Sequence, residues 1–351
     1  MTNSIPETMK VAVMTDLEKI GWEIRKVPEP SADEVLVKLE YVGVCGSDLH
    51  FYETGRIGSC VVIPPFVLGH EPGGVVVKVG SAVTNLKVGD RVALEPGKTC
   101  GKCEFCKSGR YNLCPEVIFF ATPPVNGVFS EYTAHPSNLC FKLPDNVSTM
   151  EGALIEPLAV GFHACEQGQA SAGKKALVFG SGCIGLCCAM ALKAYGVESV
   201  TVADIQDKRL NKALELGADH AVNTKENGKE ELLGICGKDG FDLIIETAGT
   251  EVTTRLAIEL AKKGGTIVLI GYSRSGEMTL PMSLIIDKEL TLKSVFRYRY
   301  VYPKAIRAVS EGKVKLSKLA TNVFEFDDLQ NAMDQSLHNK VDIVKSVIHI
   351  G

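Results

Sequence analysis

The chain has 351 residues, of which 45% are hydrophobic and 23% are charged, and its net charge at pH 7 is -4. A chain of this length exceeds what one hydrophobic core usually serves, so we expect two domains. The slightly acidic composition contains no block rich in lysine and arginine, which argues against nucleic acid and against an anionic membrane as partners.

The sequence also lacks signs of export or membrane insertion. Its first residues do not show the basic patch and apolar core of a secretory signal, and its longest apolar run, residues 176–192, is interrupted by Ser181 and three glycines. Twelve cysteines in such a chain indicate thiols and metal ligands rather than a disulfide framework. We therefore expect a cytoplasmic protein.

The first 150 or so residues have the pattern of short strands. In EVLVKLEYVGV, residues 34–44, apolar side chains recur at every second position, which is typical of a half-buried strand. Further short apolar runs follow, each bounded by Gly, Pro, Asn or Asp. Closely spaced short strands of this kind predict a barrel or a sandwich.

From about residue 172 the pattern changes to alternating buried strands and helices. The segment KKALVFGSG predicts a strand that ends in glycines, CIGLCCAMALKAYG predicts a helix, and SVTVADI predicts the next strand. The alternation continues through a helix predicted over residues 251–265 and a further strand after it. This pattern predicts an α/β domain with a parallel, doubly wound sheet. The pattern becomes mixed again from about Phe296.

The glycine-rich segment GSGCIG, residues 180–185, follows a predicted strand and opens a predicted helix, and the next strand ends in Asp204. This is the full context of a dinucleotide-binding fingerprint. Gly180 permits the tight turn, Gly182 lets the backbone approach the pyrophosphate, and Gly185 lets helix and strand pack closely. The Asp204 carboxylate would accept hydrogen bonds from ribose hydroxyls and repel a 2′-phosphate, so the motif favours NAD over NADP.

Two alternatives stay open at this motif. The turn could be structural and bind no ligand. Arg209 could stack near the adenine or pair with Asp204, or it could be a solvated helix residue.

A compact group of cysteines lies in TCGKCEFCKSGRYNLC, residues 99–114. Its members are Cys100, Cys103, Cys106 and Cys114. Four thiolates saturate a tetrahedral zinc ion and leave no position for a substrate, so the group predicts a structural zinc. Two disulfides or an iron–sulfur cluster are the alternatives.

A second group of possible metal ligands is spread over three segments. GVCGSDLH contains Cys45, LGHEPGG contains His70 and Glu71, and ALIEPLAVG contains Glu156. A thiolate, an imidazole and a carboxylate form the mixed ligand set of a catalytic zinc with one open position. Spacing alone does not link these residues, and Cys45 could equally be a small buried apolar group and His70 a turn residue.

Taken together, the motifs resemble those of the zinc-dependent medium-chain alcohol dehydrogenases. GHEPGGVVVKVGSAV resembles their zinc signature, and CGSD, the cysteine group and GSGCIG stand in the family order over essentially the whole chain. The segments CGSDLHFYETGRIG, GRYNLCP, FFATPPVNG and VFRYRY resemble the sorbitol/xylitol (polyol) dehydrogenase branch. The resemblance implies a GroES-like catalytic domain from residues 1–157 and 295–351, with a Rossmann NAD-binding domain over residues 158–294.

The resemblance also implies two zinc ions per chain and NAD. The catalytic zinc would be held by Cys45, His70 and Glu71, with Glu156 in contact directly or through water. Glu156 stands where simple alcohol dehydrogenases carry a cysteine ligand, which favours the polyol branch. The implied cofactor-binding residues are Gly180, Gly182, Ile184, Gly185, Asp204, Arg209, Gly271, Tyr272, Ser273, Val295, Phe296 and Arg297.

The implied reaction is NAD-dependent oxidation of a secondary hydroxyl of a polyol to a ketone. Glu156, acting through a water at the metal, is the first candidate for the base. Ser47 and His50 offer a hydroxyl-to-imidazole relay, although His50 could also be structural. The implied substrate-binding residues are Tyr52, Phe119, Thr122, Glu156, Arg297 and Tyr298.

Two departures from the branch bear on the substrate. Phe51 stands where the polyol enzymes usually have a tyrosine, and Tyr52 follows it, so a substrate-facing hydroxyl is missing or is supplied from one position further on. An Arg–Tyr pair occurs twice, at residues 297–298 and at residues 299–300, and alignment with VFRY favours the first pair.

Other functions stay open at this point. Dehydrogenases of threonine, butanediol or a sugar acid have the same fold. Some crystallin-type relatives keep the fold without activity. A nucleic-acid-binding zinc protein is disfavoured because the cysteine segment has few basic residues and the chain is acidic. The resemblance also implies a homo-oligomer, either a dimer or a tetramer, because members of the family usually assemble in this way.

Overall fold

The computed structural model describes residues 5–226, 228–273 and 276–351. The chain forms two compact units, Met1–Glu156 together with Ala320–Gly351, and Pro157–Leu319. The first boundary lies within one residue of the predicted one. The second lies at Ala320 and not at the predicted residue 295, a difference explained below.

The first unit begins with short strands and few helices, as the alternating apolar pattern predicts. Its elements up to the first boundary are β1 Thr8–Asp16, β2 Lys19–Lys26, β3 Glu34–Gly43, α1 Gly46–Thr54, β4 Arg56–Ile57, β5 Cys60–Val61, β6 Glu71–Val79, β7 Arg91–Leu94, β8 Gly97–Lys98, α2 Glu104–Lys107, β9 Ile118–Phe119, β10 Tyr132–Pro136, β11 Cys140–Lys142 and α3 Thr149–Gln167, with 3-10 turns at Tyr111–Leu113 and Ser137–Leu139. Helix α3 continues past the boundary.

The second unit alternates strands and helices. Its elements are β12 Lys175–Phe179, α4 Cys183–Ala194, β13 Ser199–Asp204, α5 Asp207–Glu215, β14 His220–Asn223, α6 Gly228–Cys236, β15 Phe241–Glu246, α7 Glu251–Leu260, β16 Ala261–Leu269, α8 Met282–Asp287, β17 Thr291–Ser294 and α9 Tyr302–Ser310, with a 3-10 turn at Leu316–Lys318. The chain then returns to the first unit through β18 Asn322–Glu325, a 3-10 turn at Phe326–Asp328, α10 Leu329–His338 and β19 Ser346–His349.

The main sheet of the first unit is built around β3. Its strand order is β11-β7-β6-β3-β19-β18, and β10 also pairs with β3. Val35, Val37 and Leu39 of β3 have no exposed surface, so the alternating residues of the predicted strand lie in the core. The C-terminal strand β19 is antiparallel to β3, with Val347 opposite Gly43. The two ends of the chain therefore complete one sheet.

The sheet of the second unit is parallel, with the strand order β14-β13-β12-β15-β16-β17. This topology confirms the predicted Rossmann-type sheet. Helix α7 ends at Leu260 and not at residue 265 as predicted, because Ala261 already pairs with Phe241 in the sheet.

Residues 295–319 belong to the second unit because their contacts are made there. The Val295 amide donates to Leu269 O at 3.0 Å, and the rings of Tyr298 and Tyr302 lie 5.6 Å apart. Lys304 of α9 forms an ion pair with Glu166. Within the described ranges, no helix has the length and apolar character needed to cross a membrane.

Candidate functional site

Three of the predicted metal ligands meet where β3 ends and β6 begins. Cys45 is the N-cap residue of α1, and His70 directly precedes β6, which starts at Glu71. One possible ligand atom from each residue lies within 4.8 Å of the other two. The antiparallel register places Gly43 opposite Glu71, and this pairing brings the Cys45 segment to the His70 segment. The sheet supplies the link that spacing alone could not.

The Glu71 carboxylate has the features expected of a metal ligand. Among the described residues, its Oε1 atom is buried and has no hydrogen-bond partner, while Oε2 forms an ion pair with the ammonium group of Lys345. A buried carboxylate oxygen without a partner is costly, and a divalent cation would satisfy it. The sulfur, nitrogen and oxygen donors fit a catalytic zinc that keeps one position open.

Asp48 positions two of these ligands and was not singled out from the sequence. Its buried carboxylate accepts hydrogen bonds from the amides of Cys45 and Gly69 at 3.0 Å and 2.9 Å, and it lies 3.4 Å from Nδ1 of His70. Burial raises the pKa of Asp48, but His70 and the two amides lower it by more. The available sequence signal was its place three residues after the N-cap, where acidic residues complete capping boxes.

Glu156 is buried in α3 but lies outside the group formed by the three ligands. The structure therefore does not support direct ligation, and the contact through water stays a prediction. Another buried carboxylate, Glu95, lies near enough for its pKa to be affected by Glu156. Burial raises the pKa of Glu95 to about 7 despite the hydrogen bond that Tyr111 donates to it at 2.7 Å. Sequence reasoning missed Glu95, which stands in an ordinary-looking strand-to-turn segment.

The structure gives the positions of the two predicted proton-relay residues and of two predicted substrate-binding residues. Ser47 is half-buried and His50 is exposed, and within the described part of the chain no hydrogen bond joins their side chains. The ring of Phe119 lies 5.8 Å from the ring of His70, which places Phe119 beside the metal ligands. Thr122 follows in the same turn, where its amide donates to Phe119 O at 3.2 Å.

The structure contradicts the predicted substrate role of Tyr52. Its side chain has no exposed surface, and its hydroxyl lies 2.7 Å from both Glu18 O and Oδ1 of Asp334. Burial and the Asp334 carboxylate raise the pKa of Tyr52. This hydroxyl holds α1 against α10, so it does not replace the one missing at Phe51, whose apolar side chain is also buried.

The four clustered cysteines form the second predicted metal site. All four are free thiols, and their sulfur atoms lie within 4.8 Å of one another. The sulfur atoms of Cys100 and Cys106 are 4.0 Å apart, about twice the length of a disulfide bond. Amide hydrogen bonds, including those from Lys102 and Cys103, lower the pKa of Cys100 to about 7. Despite the hydrogen bond from the Cys106 amide, burial and the neighbouring thiols raise the pKa of Cys103 to about 11. The structure contains no disulfide among these four residues, and their arrangement fits a closed, structural zinc site.

Replacement of one cysteine should remove only this metal. We expect Cys103→Ser to contain one zinc ion fewer per chain by elemental analysis and to lower Tm by about 5 °C or more. Cys60→Ser is the matched control, because Cys60 is a free, half-buried cysteine outside both groups. An unchanged zinc content in Cys103→Ser would contradict the assignment.

The glycine-rich turn between β12 and α4 has the geometry of a phosphate-binding turn. Gly180 has a φ of 93°, and a Cβ atom on Gly185 would lie 1.9 Å from Gly180 O. Only glycine fits these two positions. Gly182 is the N-cap of α4, with open space in front of its Cα up to the Arg209 guanidinium, 3.8 Å away. Ile184 lies in the first turn of the helix, at the end of a helix that favours a negatively charged phosphate.

The other predicted cofactor residues lie at the same edge of the sheet. Asp204 ends β13 and accepts hydrogen bonds from the amides of Ser181, Ile205 and Gln206 at 2.6, 2.7 and 3.0 Å. Gly271, Tyr272 and Ser273 follow β16, and Val295, Phe296 and Arg297 follow β17. In parallel sheets this carboxyl edge is where dinucleotides bind.

The structure separates the two Arg–Tyr pairs. Arg297 has a φ of 56°, in the left-handed region, and its guanidinium lies 4.8 Å over the Phe296 ring. Tyr298 is 3% exposed, whereas Tyr300 is 65% exposed. The buried position of Tyr298 is compatible with the first pair as the functional one, and that assignment stays a prediction.

Two features of the structure define a zinc- and nicotinamide-dependent dehydrogenase. One is a parallel sheet with a glycine-rich dinucleotide turn, and the other is a thiol–imidazole–carboxylate group accompanied by a closed cysteine site. Comparisons with known proteins agree. Residues 31–145 match the alcohol dehydrogenase GroES-like domain, and residues 183–311 match the zinc-binding dehydrogenase family.

Three similar proteins extend over nearly the whole chain. Sorbitol dehydrogenase of Bacillus subtilis is 41% identical over 350 residues, 99% of both chains. A probable D-xylulose reductase A of Aspergillus fumigatus is 42% identical over 334 residues, 92% of both chains. The structure of an Escherichia coli alcohol dehydrogenase (rspB) in complex with NADH has a TM-score of 0.90 and 32% identity, and covers 98% of this chain and 100% of that one. The chain belongs to the zinc-dependent medium-chain alcohol dehydrogenase family, which confirms the resemblance of its motifs.

Proposed function

We propose that the protein is a zinc-dependent NAD polyol dehydrogenase that interconverts a sugar alcohol, of the sorbitol or xylitol type, and the corresponding ketose. The proposed chemistry depends mainly on one observation. The half-buried Cys45 lies beside the buried His70 and Glu71, and Oε1 of Glu71 has no hydrogen-bond partner among the described residues. The substrate class is supported by the relatives, which are a sorbitol dehydrogenase and a probable D-xylulose reductase.

In the forward direction, polyol and NAD⁺ give ketose, NADH and a proton. Zinc at this site would act as a Lewis acid that lowers the pKa of the substrate hydroxyl, and NAD would accept the hydride. With NAD bound, the C–H bond would break and its electron pair would go to the cofactor, so the hydroxyl proton must pass to a base of the protein. Glu156 is the proposed acceptor of that proton, with Ser47 and His50 as the alternative route.

Positioning of the polyol is the second task of the chain. The Phe119 ring beside His70 provides apolar surface near the metal ligands, which favours exclusion of water and a fixed substrate pose. Thr122, Arg297 and Tyr298 are the proposed donors and acceptors for the remaining hydroxyl groups. Because Phe51 and Tyr52 both fail to offer a hydroxyl, fewer polar contacts are available than in enzymes with a tyrosine at position 51.

The preference for NAD should depend on the charge of Asp204. We expect Asp204→Ala combined with Ile205→Arg to shift the ratio of kcat/KM for NADP over NAD by about a hundredfold or more, because a repelling charge is replaced by an attracting one. Steady-state kinetics with both cofactors provide the measurement. Asp207→Ala, which removes a neighbouring exposed carboxylate, is the control, and an unchanged ratio in the double variant would refute the ribose role.

A substrate panel tests the proposed activity. The purified protein with its metal content measured is assayed with NAD and sorbitol, xylitol, ribitol, threonine, butanediol and sugar acids. We expect turnover of at least one of the three polyols. Activity on threonine, a diol or a sugar acid alone would replace the polyol assignment with one of the alternatives.

We also propose that the protein is a cytoplasmic homo-oligomer, a dimer or a tetramer. The proposal is supported by the usual oligomeric state of the family and by large exposed apolar side chains on the second unit, including Val252 at 75% and Ile286 at 69% exposure. Light scattering on the eluate of a gel-filtration column measures the subunit number, and a monomer at micromolar concentration would contradict the proposal.

A further inference from the structure

Lys345 is a lysine buried in the interior of the first unit. Its side chain is 2% exposed, and it lies directly before β19. Its ammonium group forms an ion pair with Oε2 of Glu71 and donates a hydrogen bond to Val44 O at 2.8 Å. A buried ammonium is costly unless it is paired. The role of the Lys345 ammonium can therefore be inferred from the groups with which it is paired.

These two partners of Lys345 belong to metal-ligand segments. Glu71 is itself one of the three ligands, and Val44 directly precedes a second, Cys45. The register of the sheet explains the meeting, because Gly43 lies opposite Glu71 on one side and opposite Val347 on the other. One side chain from the C-terminal end of the chain thus contacts two segments that are distant from it in sequence.

The packing leaves little freedom for this arrangement. A Cβ atom on Gly43 would lie 1.9 Å from Oε2 of Glu71 and 3.1 Å from Cε of Lys345. The carboxylate and the lysine stem therefore both lie against the bare backbone of Gly43. Neither carboxylate oxygen of Glu71 has a hydrogen-bond partner among the described residues, but Oε2 has the ion pair with the ammonium group. Oε1 is therefore the oxygen left for a metal ion.

We infer that Lys345 is a positioning residue for the metal: it holds Glu71 through Oε2, so that the carboxylate presents Oε1 alone, and it fixes the backbone before Cys45. This inference rests on the proposed catalytic zinc. A carboxylate that offers one oxygen instead of two keeps a coordination position open for the substrate. The ammonium also balances the buried charge of Glu71 when no metal is bound, so the site keeps its shape before the metal arrives.

Cobalt substitution of Lys345 variants tests the inference. Lys345→Met keeps an unbranched apolar stem and removes the charge and the donors, whereas Lys345→Arg keeps the charge. Both variants and the wild type are loaded with Co²⁺ at the Cys45 group, while the four-cysteine site serves as an internal control in each protein. The measurements are the visible cobalt spectrum, the rate of metal release to a chelator, and Tm with and without metal at this site.

For Lys345→Met we expect weaker visible cobalt bands, because Glu71 can then bind through both oxygens and raise the coordination number. We also expect kcat to fall about tenfold to a hundredfold with KM for NAD unchanged, and a larger increase of Tm on metal binding than in the wild type, because metal alone then balances Glu71. Lys345→Arg should restore the spectrum at least in part. The cysteine site should release its metal at the same rate in all proteins.

The outcomes separate this inference from the proposed function. If the wild type binds no Co²⁺ at Cys45, His70 and Glu71, the proposed function fails. If the wild type binds Co²⁺ and Lys345→Met shows the same spectrum, release rate and metal-dependent Tm, only the inference is overturned.

A double variant covers the case in which Lys345→Met does not fold. Lys345→Met with Glu71→Gln removes both buried charges, and we expect it to be recovered as soluble protein. Recovery of the double variant and not of the single one supports Glu71 as the group that Lys345 holds. Equal loss of both variants overturns it.

Discussion

Glu156→Gln is expected to lower kcat by about a hundredfold to a thousandfold, because an amide of the same shape cannot accept the substrate proton. Glu156 is 6% exposed and lies outside the three-residue ligand group. We therefore expect NAD affinity, measured by fluorescence titration, and zinc content, measured by elemental analysis, to remain at the wild-type values.

Two results would contradict this role. Loss of one zinc ion per chain would show that Glu156 ligates the metal directly. Loss of NAD binding would show that Glu156 acts in cofactor binding and not as the proton acceptor. Glu151→Gln is the matched control, because Glu151 lies in the first turn of the same helix. Among the described residues, its carboxylate accepts hydrogen bonds only from Ser148. Its kcat should change less than twofold or so.

Gly43→Ala is expected to abolish binding of the catalytic metal while the four-cysteine site stays loaded. The added Cβ atom would overlap Oε2 of Glu71 at 1.9 Å, so the carboxylate must leave its place between Lys345 and the other ligands. We expect kcat/KM to fall by about a hundredfold or more and the free energy of unfolding to fall by about 1–3 kcal/mol. Elemental analysis should give one zinc ion per chain.

Gly46→Ala provides the control for this substitution. A Cβ atom on Gly46, in the first turn of α1, would meet no atom within 4 Å, so an equally small addition near the same ligands should leave metal content and kcat unchanged. Wild-type zinc content in Gly43→Ala would show that the sheet adapts to the methyl group. It would also show that close packing against Gly43 does not hold Glu71 and Lys345 in place.

The parts of the site that could be predicted from the sequence are those encoded in short segments. The three glycines and the start of the following helix lie within the six residues of GSGCIG. All four cysteines of the other metal site lie within residues 99–114. Local geometry determines these structures, so spacing is informative. The catalytic group is different, because Cys45, His70 and Glu71 meet only through the pairing of β3 with β6. The family resemblance, and not the spacing, linked them.

Residues that act through tertiary contacts could not be found in this way. Lys345 stands in an alternating strand segment that looks solvated on one face, and only the sheet shows that its side chain is buried beside Glu71. Tyr52 was wrongly assigned to the substrate site for the same reason. The sequence does not show that its hydroxyl donates a hydrogen bond to Asp334 of α10. The compact units divide at Ala320 and not at residue 295, and the mixed sequence pattern after residue 295 gives no sign of contacts such as the ion pair of Lys304 with Glu166.

The position of β19 beside β3 has a consequence for the order of folding on the ribosome. Residues 157–319 find all the strands of their sheet within one continuous stretch of chain, whereas the sheet of the first unit lacks a strand until residues 346–349 have been synthesised. A nascent chain should therefore complete the dinucleotide-binding unit first, although the other unit begins earlier, with the long closure between β3 and β19 coming last. Until then residues 41–43 of β3 lack the partner strand that β19 provides, and Glu71 lacks the ion pair with Lys345.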